Sequence, residues 1–65
     1  MNFAAVNTFV TSKLLPAITA ITAAIPGLLS TTEADVQSAI VAITKVLTDL
    51  QSDIVTLANA VKSAS

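Results

Sequence analysis

The chain has 65 residues, of which 54% are hydrophobic, 11% charged and 3% aromatic, with no Cys, His, Trp or Tyr and a formal net charge of −1. That charge content is less than half of the roughly 25% usual in a soluble domain, and a mean hydropathy of +0.83 argues against intrinsic disorder. The missing residue types exclude a disulfide scaffold and a Cys or His metal site, and three cations are too few for a nucleic-acid footprint.

Size is the first physical problem. A chain of about 60 residues buries only about 60% of its extended surface and is marginal alone. Disulfides and metals are the usual remedies, and neither is open to this composition. Partners are what remains, so the expectation is an oligomer, a membrane resident or a subunit of a larger particle. Twelve Ala, nine Thr, seven Val, seven Leu and six Ile dominate, an alphabet suited to close helix approach rather than to one aromatic core.

In chain order, Phe3, Val6, Val10, Leu14, Ile18, Ile21, Ile25 and Leu28 recur at helical steps and predict a first helix over about 3–25. Pro16 falls inside that stripe and should kink the helix; the alternative is a split, with a first piece ending at Thr11 or Ser12. The stripe keeps its phase across the proline, which favours the kink. Ala4, Ala5, Phe9, Ala17, Ala20, Ala23 and Ala24 make the helix apolar nearly all round, so one partner helix does not cover it. Lys13 is the only charged side chain before Glu33, and is expected to be exposed near the kink. Pro26-Gly27 is a strong turn signal. A short connection over 26–31 should return the chain antiparallel.

The second helix is predicted over about 32–63. Val36, Ile40, Ile43, Leu47, Leu50, Ile54, Leu57, Val61 and Ala64 alternate four- and three-residue steps without a Gly or Pro after Gly27, a heptad seam. With Val36 as d, the a positions are Ile40, Leu47, Ile54 and Val61. Positions e and g are mostly small or apolar, which suits more than two helices. Val41 and Val55 at b suggest a second contact surface. Ser30 and Glu33 fit an S-x-x-E capping box, with Thr32 and Asp35 in a second register. Glu33 and Asp35 favour the helix start and Lys62 its end.

Catalysis has little to stand on. No His activates the hydroxyls, Gly27 is the only glycine, and the paired carboxylates belong to a helix cap and an exposed face. No enzyme activity, cofactor or metal is expected.

A membrane reading rests on the 19 uncharged residues from Leu14 to Thr32, close to a spanning length. Against it stand Pro16, Pro26, Gly27 and the Thr/Ser hydroxyls, with no aromatic belt. The uninterrupted apolar stretch, Ala17 to Ile25, is only nine residues. A secretory signal with its h-region over Leu14–Ile25 is a weaker reading, because only Lys13 charges the residues before it. The length and layout are similar to hairpin subunits of pili and needle-like filaments, and the Ala/Thr/Val-rich helices to fungal hydrophobic surface-binding proteins. Both are likenesses of layout or composition, carried by no motif.

The expectation is therefore an all-α helical hairpin within a multi-helix oligomer. It would be a structural subunit of a filament, virion or similar particle, packing on copies of itself and on any other subunits of that assembly. A membrane-embedded or membrane-active hairpin is the alternative, and a small surface-active or partner-binding helical protein the third reading. The residues expected to carry the packing are Phe3, Val10, Ile18, Ala20, Ile21, Ala24, Ile25, Ile40, Ile43, Leu47, Leu50, Ile54, Leu57 and Val61. The cap is assigned to Ser30, Thr32 and Glu33. Ala20 and Ala24 are expected to meet another subunit's backbone.

Overall fold

The computed structural model describes residues 3–64, and the regular structure in them is entirely helical. The order is α1 (Ala4–Phe9), a π-helical turn over Val10–Leu14, α2 (Leu15–Leu28) and α3 (Glu33–Ala64). The first three run on as one 25-residue arm, Ala4–Leu28. The chain then reverses, and α3 lies antiparallel along that arm. A rod 50 × 16 × 11 Å across results, with a radius of gyration of 15.0 Å. A compact domain of this length would have about 11 Å. The reading of Ala64 at a d position concerns a side chain outside those described.

Pro16 does not split the arm, which runs on as one helix. The turn before it widens instead, and the Leu15 N–H donates to the Val10 carbonyl, five residues back. A proline has no N–H, and its ring crowds the carbonyl four residues earlier. A π turn at that place makes room for the ring and lets the helix continue.

Pro26 and Gly27 are not the turn. Both lie in the last turns of α2, which ends at Leu28, three residues beyond the expected helix end, and the connection is Leu29–Thr32. Helix α2 closes with three-residue bonds, Leu29 N–H to the Pro26 carbonyl at 3.2 Å and Ser30 N–H to the Gly27 carbonyl at 3.3 Å. Such bonds satisfy carbonyls that a helix end otherwise orphans. Gly27 has no positive φ; it is needed for space. A Cβ there would stand 2.9 Å from the Ala39 Cβ and 3.4 Å from the Asp35 carbonyl oxygen. Glycine lets α2 and α3 touch where the hairpin closes.

Helix α3 forms as its sequence dictates, 32 residues without a breaker and with Glu33 and Asp35 in the first turn. At 1.5 Å per residue it spans about 48 Å, the full length of the rod.

The line along which the arms meet differs from the expected seam. Toward the first arm, α3 turns Val36, Ala39, Ile43, Val46, Leu50, Asp53 and Leu57, all half-buried or buried. These are the d and g positions. Of the a positions, Ile40, Leu47 and Ile54 stay about half exposed; only Val61 is half-buried. Facing them from the first arm are Leu14, Ala17, Ile21, Ala24 and Gly27. Small residues decide this roll: Ala17 and Ala39 are the only buried hydrophobic residues among those described. Contact through Ala and Gly brings the backbones close, and the larger a-position side chains are carried to one side.

Candidate functional site

Two sides of the rod differ in chemistry. Along one side run shallow grooves lined mostly by small and polar residues, with a few larger apolar ones. Near the turn they are lined by Ala23, Pro26, Ser38 and Ala42. Mid-rod the lining includes Ser12, Pro16, Ala20 and Asp49, with Val46 and Leu50. At the open end it includes Ala5, Thr8, Thr56 and Ala60, with Phe9 and Leu57. Lys13 and Asp53 border both of the latter grooves. The α3 residues here include c and f positions, one flank of the contact line.

The other flank holds the large side chains. Helical spacing places Ile18 and Ile25 of α2 opposite Ala20 and Ala23 about the α2 axis, and the a positions of α3 opposite Ala42 and Asp49. Both apolar stripes read from the sequence therefore lie side by side on one face of the hairpin. Their inner members, Leu14, Ile21, Ile43, Leu50 and Leu57, are half-buried between the arms. Their outer members are open: Ile18 51%, Ile25 44%, Ile40 51%, Leu47 52% and Ile54 49% exposed. Phe3 and Val6 extend the face toward the open end, and Val41 and Val55 widen its α3 rim; all four are exposed. Val10, half-buried, lies between Val6 and Leu14.

The accessible surface puts a magnitude on this. The chain exposes 4693 Å², whereas a compact monomer of its 6.6 kDa would expose about 3,900 Å². The excess, about 800 Å², is what one partner contributes to an ordinary protein interface.

Ala20 and Ala24 divide between two environments. Ala20 is exposed in the mid-rod groove, on the small-residue side. Ala24 is half-buried and borders the groove beside Ala39 and Ala42 of α3, near the close approach of the arms at Gly27.

The cap is built differently from an S-x-x-E box. The Ser30 Oγ accepts from the Thr32 N–H at 3.1 Å and donates to the Asp35 Oδ2 at 3.1 Å. The Glu33 Oε1 instead accepts from the Gln37 side-chain amide at 3.3 Å. Ser30 thus acts through Asp35, five residues on, because the chain turns tightly enough to bring its hydroxyl over the first turn of α3. The Thr32 carbonyl accepts the first α3 bond, from the Val36 N–H at 3.1 Å.

Several threonines are satisfied within their own helices. Thr19 donates to the Leu15 carbonyl at 3.0 Å, Thr11 to the Asn7 carbonyl at 2.9 Å, and Thr56 to the Ser52 carbonyl at 3.2 Å. A hydroxyl bonded back in this way adds less polarity to the helix surface than one left to solvent. The Lys45–Asp49 pair, 3.1 Å apart, is open to solvent on both sides and contributes little.

The contact roles of Gly27, Val46 and Asp53 do not follow from the stripes alone. Gly27 and Ala39 are both minimal in volume and stand at matching heights in an antiparallel hairpin, which is the signal that could have paired them. No family model, curated protein or solved structure matches the chain.

Proposed function

We propose that the protein is a non-enzymatic structural subunit that self-associates by apolar helix packing into a filament, virion or similar particle. One observation carries this reading: the only buried hydrophobic residues among those described are two alanines, while Ile18, Ile25, Ile40, Leu47 and Ile54 stay about half exposed. A hairpin of 65 residues with no fully buried large side chain among those described has little burial to offset its chain entropy. Copies of the same chain supply that burial, and the sparse polar side of the rod is left for solvent.

Purification without detergent, with mass measured by light scattering, tests the reading. Uniform particles many times the 6.6 kDa chain mass are expected. A chain that stays monomeric at all concentrations would refute self-assembly.

A membrane-embedded hairpin is the second reading, and the structure favours it in one respect. The first arm, Ala4–Leu28, is one continuous helix long and apolar enough to cross a bilayer, not a nine-residue fragment. Pro16 does not interrupt it, and back-bonded Thr11 and Thr19 soften its polarity. Recovery only in detergent, with spontaneous insertion into liposomes, would select this reading.

A further inference from the structure

We propose that two copies of this chain pair through the apolar face with α3 lying antiparallel on α3 of the second copy, about a two-fold axis at the height of Leu47. The inference rests on the self-association reading and names its first contact. Three observations carry it.

The first is area. The apolar residues of the face run from Phe3 to Leu28 on the first arm, about 38 Å at 1.5 Å per residue, across the 16 Å width of the rod, a footprint of about 600 Å², the lower end of the share one partner gives to a stable interface. The surface exposed in excess of a compact monomer is of similar size.

The second is symmetry in the exposed line. A two-fold interface brings each residue onto its mirror position, so the line must be self-complementary. The a positions of α3 read Ile40, Leu47, Ile54, the same forward and backward about Leu47. Antiparallel overlay sets Leu47 on Leu47 of the second copy and Ile40 on its Ile54. The rim residues Val41 and Val55 are disposed evenly about Thr48, so the rim obeys the same axis within one residue.

The third is charge. Seven residues before Ile40 the line ends in Glu33, and seven after Ile54 it ends in Val61, with Lys62 beside it. The same overlay brings Glu33 of each copy to the height of Lys62 of the other. The competing arrangement lays turn over turn and α3 over α2 of the second copy. That sets Glu33 against the apolar end of α2 around Leu28 and uses neither the mirror symmetry nor the charges.

Because the chain has no cysteine, single-cysteine variants of the full chain test this directly. Leu47→Cys, Ile40→Cys, Ile54→Cys and Ile18→Cys are each refolded alone and in equimolar pairs, then treated with a short bis-maleimide. Leu47→Cys alone should cross-link at least tenfold more than Ile40→Cys or Ile54→Cys alone, and the Ile40→Cys/Ile54→Cys mixture should reach about half its yield, the share of mixed dimers under random pairing. Ala17 and Leu50 border one groove, so Ile18 and Leu47 stand at similar heights, and turn-over-turn stacking would link Leu47→Cys to Ile18→Cys instead. That result, or assembled variants that fail to cross-link at all four sites, overturns the pairing and leaves self-association standing. A chain monomeric in buffer and in detergent micelles overturns both.

Discussion

Gly27 shows how a single residue sets the geometry of the hairpin. Inside a helix, Gly→Ala ordinarily gains about 0.5–1 kcal/mol from backbone entropy and helix propensity. Here the added methyl meets Ala39 Cβ at 2.9 Å, and neither alanine is a flexible side chain that can swing away. Separating two packed helices costs about 1–3 kcal/mol, so steric repulsion wins and Gly27→Ala should lower stability by about 1 kcal/mol. Urea unfolding measures it, and Ala39→Gly in the same chain should return part of the loss. A raised urea midpoint for Gly27→Ala alone would mean that the arms do not touch there. Ser30 sets the start of α3 in the same local way. Ser30→Ala removes one acceptor and one donor at once, and should cost about 1 kcal/mol. Faster hydrogen exchange at residues 33–36 is the expected readout, and unchanged protection would show that Asp35 and Thr32 hold the turn without it.

At the scale of elements, much was legible and one decisive quantity was not. The all-α class, the two arms and both apolar stripes follow from three- and four-residue spacing, because that spacing is a local property of the helix. The roll of each helix about its own axis is not local. Helix α3 carries apolar residues on its a, d and g lines, so its sequence allows more than one line of contact. The choice falls to d and g because Ala39 on g meets Gly27, and such pairing of small residues is visible only once the arms are set side by side. Pro26-Gly27 misleads for a related reason: the pair that marks a turn also fits a last helical turn in which glycine is needed for clearance. The π turn answers Pro16, and it adds one residue to the arm's pitch ahead of α2. Pro16→Ala removes the need for it. A regular α-helix there would rotate α1 by about 100° relative to α2, taking Phe9 away from the groove it shares with Leu57. Loss of nuclear Overhauser contacts between the Phe9 ring and the Leu57 methyls is the expected result. Retained contacts would place the cause of the π turn elsewhere.

For the molecule as a whole, the exposed apolar face is the feature that asks for a partner. The half-buried Leu50 and the half-exposed Leu47 lie only three residues apart, and they face different surroundings. Leu50 is half-buried between the two arms, so Leu50→Ala should destabilise the hairpin and, through it, the proposed particle. Leu47 is about half exposed on its own chain, and its truncation should leave the arms helical while removing about 2–5 kcal/mol per buried site from the proposed assembly. The polar side makes the matching negative prediction: Asp49→Ala breaks only the solvent-open pair with Lys45 and should change stability by less than about 0.5 kcal/mol. The most direct measurement is sedimentation velocity, without detergent, on Leu47→Lys beside Ser52→Lys, a charge of the same size placed at an exposed f position. If copies of the chain cover the apolar face, Leu47→Lys should collapse to a species of one or a few chains while Ser52→Lys sediments as the unaltered particle. Equal sedimentation of both variants as intact particles would contradict the account, because a lysine buried there without a partner could not be borne by every subunit.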